Sequence, residues 1–451
     1  MALTDWIKSI INKRSQDKEL APLNPSSISF KVVVVEFYDN VENNYGETVA
    51  KLLSQKQGMD VIYYNEPFPK AFLKLETRSF FDMIDKGQEL LEKFDAEALI
   101  WGYRENKKIR LNFQSDKQYE ADENTFVSLM DSLYIPVDLI DTQSLPSSLS
   151  NLVYGATVST IRPQNKEKQI QKRYLLKKII DVLSKDNSTK ILSIEYMPYV
   201  MNFLGIIYLN YAFDNKDDRD FKIIKNLFNA ALKHQDLITS PIHLGCIYNH
   251  LGQLYGCATK NIEKKPLSYF KGALTFYNQA QKFLSKYNYP YDYGHISYKL
   301  SHLLFCYWRQ KEDIQALRDS VSQLREAEKI YTYALFPEFW AVIQGDLGRS
   351  LSLLGSVTKS DEICELAIAA YKNQQKIITE KRDPLTWAKV QESIGSIYYS
   401  QGKKDSDKAS LEEALEYFHD ALYIFENMKL DNDVRTITIN ISKTSQALNG
   451  F

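Results

Sequence analysis

The hydrophobic rhythm of the chain changes near residue 160. Before it, short β-branched runs alternate with helical stretches. Lys31-Val-Val-Val-Val-Glu-Phe37 has the unbroken apolar character of a strand covered on both faces. Tyr45 to Gln57 follows with helical spacing and Gly58 as its C-terminal stop. Asp60–Tyr64 predicts a second strand and Ser79–Phe94 a second helix. Ala98–Tyr103 and Ile109–Phe113 predict two more strands, and the short link Arg104–Lys108 makes them a hairpin. A helix is expected over Leu149–Thr160. The order β-α-β-α-β-β describes a small sheet with helices packed on it.

After about Tyr174 the pattern repeats itself. Trp340-Ala-Val-Ile-Gln344-Gly-Asp-Leu347-Gly348 recurs 47 residues on as Trp387-Ala-Lys-Val-Gln391-Glu-Ser-Ile394-Gly395. The same register holds at Leu204-Gly205, Leu251-Gly252, Leu300-Ser301 and Ile441-Ser442. One helical turn beyond each apolar member stand Tyr208, Tyr255, Leu304, Leu351 and Tyr398. A second series runs in parallel: Ile224, Ala273, Ser320, Ala367 and Ala414, then Phe228, Tyr277, Leu324, Tyr371 and Phe418 four residues later. Ala231, Ala280, Ala327, Gln374 and Ala421 complete it. Large and small residues alternating on two helices per repeat are what close antiparallel packing requires. One such unit cannot bury its own face, so the copies must share a continuous core.

These residues resemble the tetratricopeptide (TPR) repeat, in the long bacterial form suggested by "WAxxQxxLG" and by Arg382-Asp383-Pro384 before Trp387. The family repeat is usually about 34 residues, so the helices here are longer or the loops extended. Ser301 for Gly, Leu244 at the Trp position and Gln374 for Ala depart from the pattern. Residues 28–160, with "VVVVEFYDN" and "ALIWGYRENKKIRLNF", resemble the small amino-terminal domain of TolB-like bacterial proteins, which implies a contact or assembly module. The expected fold is therefore mainly α: a TPR-like solenoid preceded by a small α/β domain. Its parts are an amphipathic segment (1–24), the α/β domain (28–160), a basic linker becoming a capping helix (161–189), and five helix pairs plus a terminal helix (190–451).

Composition narrows the function. With 451 residues the chain exceeds a single core. A net charge of −1 gives no electrostatic case for nucleic acid. Cys246, Cys257, Cys306 and Cys364 form no C-x-x-C pair, which points to a reducing, cytoplasmic setting. No stretch is long and apolar enough to span a membrane. Leu3, Trp6, Ile7, Ile10 and Ile11 share a helical face, so residues 3–11 are read as docking on a protein surface, with peripheral attachment to the cytosolic face of a membrane as the alternative.

Chemistry-bearing constellations are sparse. The turn Tyr38-Asp39-Asn40-Val41-Glu42 lacks glycine and carries acids, which excludes a phosphate loop. His243, Cys246 and His250 have helical spacing that zinc could use, with Cys257 beyond, but they fall inside a repeat helix and are read as core or groove residues. His295, His302 and Cys306 are read the same way, and Asp214–Asp220 as a solvated loop. No nucleophile–base pair can be assigned, so no catalytic residue, cofactor or metal is expected.

The expectation is a scaffold or adaptor that binds another protein or peptide in its concave groove; the alternative is a ligand-sensing regulator whose α/β domain controls the solenoid. In the TPR family the first helix of each pair lines the groove. Its non-core positions here are Asn202, Asn249, Gln253, His295, Tyr298, His302, Arg349, Lys389, Glu392 and Tyr399. Arg349, Lys389 and His302 would suit an acidic or carboxylate-bearing peptide, with Glu392 able to neutralise Lys389 internally.

Overall fold

The computed structural model describes residues 28–38, 44–69, 77–116, 128, 130–141, 145–163, 165–185, 193–212, 218–261 and 266–450. The amphipathic segment 1–24, the turn at 39–43 and residues 214–217 lie outside them. The chain divides into two compact units, the first reaching Asp292 and the second beginning at Tyr293.

The first unit opens with a five-stranded sheet: β1 (Phe30–Val35), β2 (Met59–Tyr64), β3 (Ala98–Glu105), β4 (Lys108–Ser115) and β5 (Ser132–Pro136), in the order β2-β1-β3-β4-β5. β1 runs parallel to both neighbours, and β3-β4-β5 is an antiparallel meander. Val32–Val35 are fully buried, as a strand covered on both faces should be. Helix α1 (Tyr45–Ser54) starts against the end of β1 so closely that a Cβ on Gly46 would lie 2.6 Å from the Val35 carbonyl oxygen. The Glu36 carboxylate fills the positive end of that helix, accepting from the Gly46 and Glu47 amides at 2.8 and 3.3 Å and from the Tyr63 hydroxyl. An internal anion thus holds the place a phosphate would need. Gly58, at φ +70°, lies in the turn into β2 beyond the end of α1.

Helix α2 (Thr77–Phe94) follows β2. β5 and the short α3 (Val137–Asp141), which the hydrophobic pattern did not announce, precede α4 (Ser147–Thr160). Helix α5 (Lys166–Lys185) is the basic stretch, and Lys168 and Lys172 in it are tied down. Lys168 pairs with Glu97 at 2.6 Å, and Lys172 donates to the Ser159 and Ile161 carbonyls and to Asn210. Leu175, Leu176, Ile179 and Ile180 bury its other face. The pairs α6 (Met197–Ala212) with α7 (Asp218–Lys233) and α8 (Pro241–Asn261) with α9 (Pro266–Phe283) complete the unit. One apolar cluster runs from Phe30 through the sheet to Tyr269, with Phe113 of β4 5.5 Å from Phe203 of α6.

Helix α10 (Pro290–Lys311) carries the division in its first turn. The second unit pairs it with α11 (Ile314–Glu328), then α12 (Pro337–Thr358) with α13 (Asp361–Gln375) and α14 (Pro384–Asp405) with α15 (Lys408–Asn427); α16 (Asp431–Leu448) closes the series. Helices packed pairwise in series are a solenoid-like arrangement. Pro290, Pro337 and Pro384 open the first helix of each pair, where the missing N–H costs nothing. Glu312, Lys359 and Ser406 take left-handed φ of 53–55° at its end. Asp313, Ser360 and Asp407 come next and cap the second helix through their side chains. The hairpin turn therefore repeats with the same period as the core.

The core register explains itself in atoms. A Cβ on Gly205, Gly252, Gly348 or Gly395 would lie 2.4–2.8 Å from Phe228, Tyr277, Tyr371 or Phe418 respectively. Where Ser301 replaces the glycine, Leu324 stands where the others have a ring, and the Ser320 hydroxyl donates to the Ser301 carbonyl at 2.8 Å. Gln374, which replaces alanine, is accommodated because Gly345 faces it: a Cβ there would lie 2.5 Å from its amide nitrogen. In α16 the register persists, yet Thr438 and Ser442 are exposed, Ile441 is half-buried and Ile439 is 47% exposed.

Candidate partner-binding surface

The ten groove positions divide between the two units with different fates. In the first unit they are covered. Asn202 is 6% exposed and donates to Asp131 Oδ1 at 3.0 Å; Asn249 is 7% and Gln253 4% exposed. Asp131, just before β5, also takes the Ser128 amide at 2.8 Å and His250 Nε2 at 2.9 Å, both side chains of the Asp131–His250 pair being wholly shut from solvent. Gln253 Oε1 lies 3.3 Å from His250 Nδ1, and Phe228 stacks on the imidazole. His243 packs edge-on to Tyr134 and Tyr199, and burial, then the charge of Arg110, push its pKa down to about 3. These side chains glue the helices to the sheet and present nothing to a partner. Asn202, Asn249 and Gln253 are accordingly corrected from groove residues to core contacts.

In the second unit the same helix face is more open. His302 Nε2 donates to Asp346 Oδ2 at 2.9 Å, and Arg349 pairs with Asp346 Oδ1 while its guanidinium lies 5.3 Å from the Phe305 ring centroid. Burial raises the Asp346 pKa, but hydrogen bonding and charge from His302, with the Arg349 charge, outweigh it and hold the carboxyl below its usual range. Tyr298, 4% exposed and edge-on against His302 and Phe339, is likewise corrected from a groove residue to a core contact, and the half-buried His295 ring meets Phe339 at 5.8 Å. The expected carboxylate clamp is thus filled at one end by the protein's own Asp346. Lys389 is exposed. Glu392 is half-buried, its pKa raised by burial and by Asp433 against the opposing pull of Lys389. Tyr399 packs half-buried on the last core cluster. Ser393, Ser396 and Ser400 donate to carbonyls four residues back at 2.8–2.9 Å, leaving a low surface along α14.

Sequence reasoning missed what the repeated glutamine does. Gln344, 1% exposed, donates to Glu328 at 2.7 Å and accepts from Asn373 at 3.1 Å. One period later Gln391 accepts from Gln375 at 2.8 Å and donates to Asp420 at 2.8 Å. Each amide joins the preceding second helix to the one in its own pair, and the chain of donors reverses between copies because the carboxylate changes sides. An amide carries a donor and an acceptor and so serves both directions. The signal was present as equal spacing at 328/375 and 373/420.

Among the described residues no helix is long and apolar enough to cross a membrane, and no His, Cys, Asp and Glu groups are set for a metal ion. No protein-family model matches the chain, and no curated protein matches it.

Proposed function

We propose that the protein is a cytoplasmic scaffold of tetratricopeptide type that holds a segment of another protein against the first-helix face of its second unit. One observation carries this reading. The signature positions of that unit are consumed by packing, whereas Arg349, Lys389 and Ser396, on the same face of successive first helices, stay exposed. Half-exposed Phe305 and Tyr399 flank them and supply apolar anchors beside the charges. A bound segment would meet Lys389 as an available cation, while at Arg349 an acidic side chain would compete with Asp346. No catalytic role is proposed.

The test is co-purification of partners from the native host with Lys389→Glu/Ser396→Arg, both at exposed sites. Partner capture should be lost while the melting temperature stays within about 2 °C, as expected for surface changes. Glu416→Lys, exposed on a second helix, should capture normally. Retention by the double variant together with loss in Glu416→Lys would move the binding surface to the other side of the unit.

A further inference from the structure

The sheet of the first unit holds a buried cation with no ion-pair partner among the described residues. Arg110, in β4, is 4% exposed. Its Nε donates to Ser132 Oγ at 2.8 Å and its Nη1 to the Tyr103 hydroxyl at 2.7 Å, but Nη2 has no hydrogen-bond partner. Among the described residues no carboxylate lies within ion-pairing distance of it. Two residues along the same strand face, about 7 Å away, Asn112 is wholly buried. Its Nδ2 donates to the same Ser132 oxygen at 2.9 Å and its Oδ1 is left without a donor. One hydroxyl therefore clasps both side chains, while a charged donor on one and a neutral acceptor on the other have no hydrogen-bond partner.

Both vacancies are costly. A guanidinium does not shed its proton, and a buried charge is tolerated when something compensates it. Among the described residues none makes an ion pair with it, Glu105 acting on Arg110 through its charge alone. Glu195 takes Lys108, Asp131 is committed to His250 and Asn202, and Asp292 accepts from Ser128. Tyr134, opposite Arg110 in the strand register, is 3.2 Å from His243 through its hydroxyl. The lowered pKa of His243 keeps that imidazole neutral.

We propose that Arg110 and Asn112 form the receptor for a small monocarboxylate with a hydroxyl or amino group on the carbon beside its carboxyl. The carboxylate accepts from Arg110 Nη2, and the neighbouring donor meets Asn112 Oδ1. One cation without an ion-pair partner matches a single negative charge; a phosphate dianion would bring a second charge that no described residue balances. The site is independent of the first-helix surface and gives the sheet a role of its own.

The experiment is calorimetric titration of the full chain with glycolate, propionate and inorganic phosphate at matched ionic strength. Glycolate should bind saturably at one site, at least about tenfold tighter than either other probe. Asn112→Asp, nearly isosteric, places a carboxylate beside Arg110. It should raise the melting temperature and abolish glycolate binding, the stability gain showing that the fold is intact. Arg110→Lys, which keeps the charge but loses the planar fork, should weaken glycolate at least about tenfold. No saturable glycolate heat up to about 10 mM, equal binding of phosphate, or unchanged binding in Asn112→Asp would overturn the proposal.

Discussion

The departure at Ser301 and Leu324 can be transplanted. In the next repeat Gly348 faces the Tyr371 ring, where an added Cβ would sit 2.6 Å from Cδ1 and 2.7 Å from Cε1. Tyr371 is 7% exposed, so the ring has little room to retreat. Gly348→Ser alone should cost about 1–3 kcal/mol in overpacking, offset by about 0.5 kcal/mol of improved helix propensity. Tyr371→Leu alone removes a buried ring and should cost about 2–3 kcal/mol. The double variant reproduces the Ser301/Leu324 pair, the serine occupying space the ring has left. Its loss should fall short of the sum of the singles by at least about 1 kcal/mol. Urea denaturation of the full chain, followed by far-ultraviolet circular dichroism and compared at the midpoints, measures all four corners. A coupling within about 0.3 kcal/mol of zero would show that the glycine and the ring do not answer one another, and the steric account of the register would fail.

Gln391→Glu should destabilise the second unit by about 1–3 kcal/mol, because it sets a carboxylate against Asp420, and Asp420→Asn should restore most of the loss; no rescue would dismiss the relay. Lys359→Gly relieves a left-handed backbone that favours glycine and should raise stability by up to about 1 kcal/mol, whereas Gly at the helical Lys372 should lower it. Burial, with the Asp131 charge against the Ser128 bond, raises the Asp292 pKa to about 6. The unfolded carboxyl ionises first, so its contribution is complete near pH 4 and is lost as pH rises through 6. Wild type should therefore lose up to about 3 kcal/mol relative to Asp292→Asn across that window, and parallel profiles would refute the shift.

The strands at Val32–Val35 and Ala98–Tyr103 and the helix pairs were legible because burial imposes a period that the residues must keep. β5 was not, since Ser132-Leu-Tyr-Ile-Pro is short and ends at a proline, too little for a period to declare itself. The polar first-helix positions were harder for another reason. Asn202 and Arg349 read alike in sequence, but whether such a face meets solvent depends on what packs over it. In the first unit Asp131 and His250 claim it; in the second Arg349 remains outside. Buried polar pairs carry no periodic mark, so Asp131–His250 and Arg110–Ser132 become visible only when distant segments are brought together.

The continuous apolar cluster of the first unit bears on how such a chain can change over evolutionary time. Phe113 in the sheet and Phe203 in the first repeat belong to one core, so the α/β portion is not a detachable cassette. A recombination break at residue 189 would lay bare Phe203, Ile206 and Ile207 on one product and Leu111 and Phe113 on the other. Repeats in the second unit can be gained or lost as whole periods, each carrying its own proline start and hairpin turn. The first two pairs are inherited with the sheet or not at all.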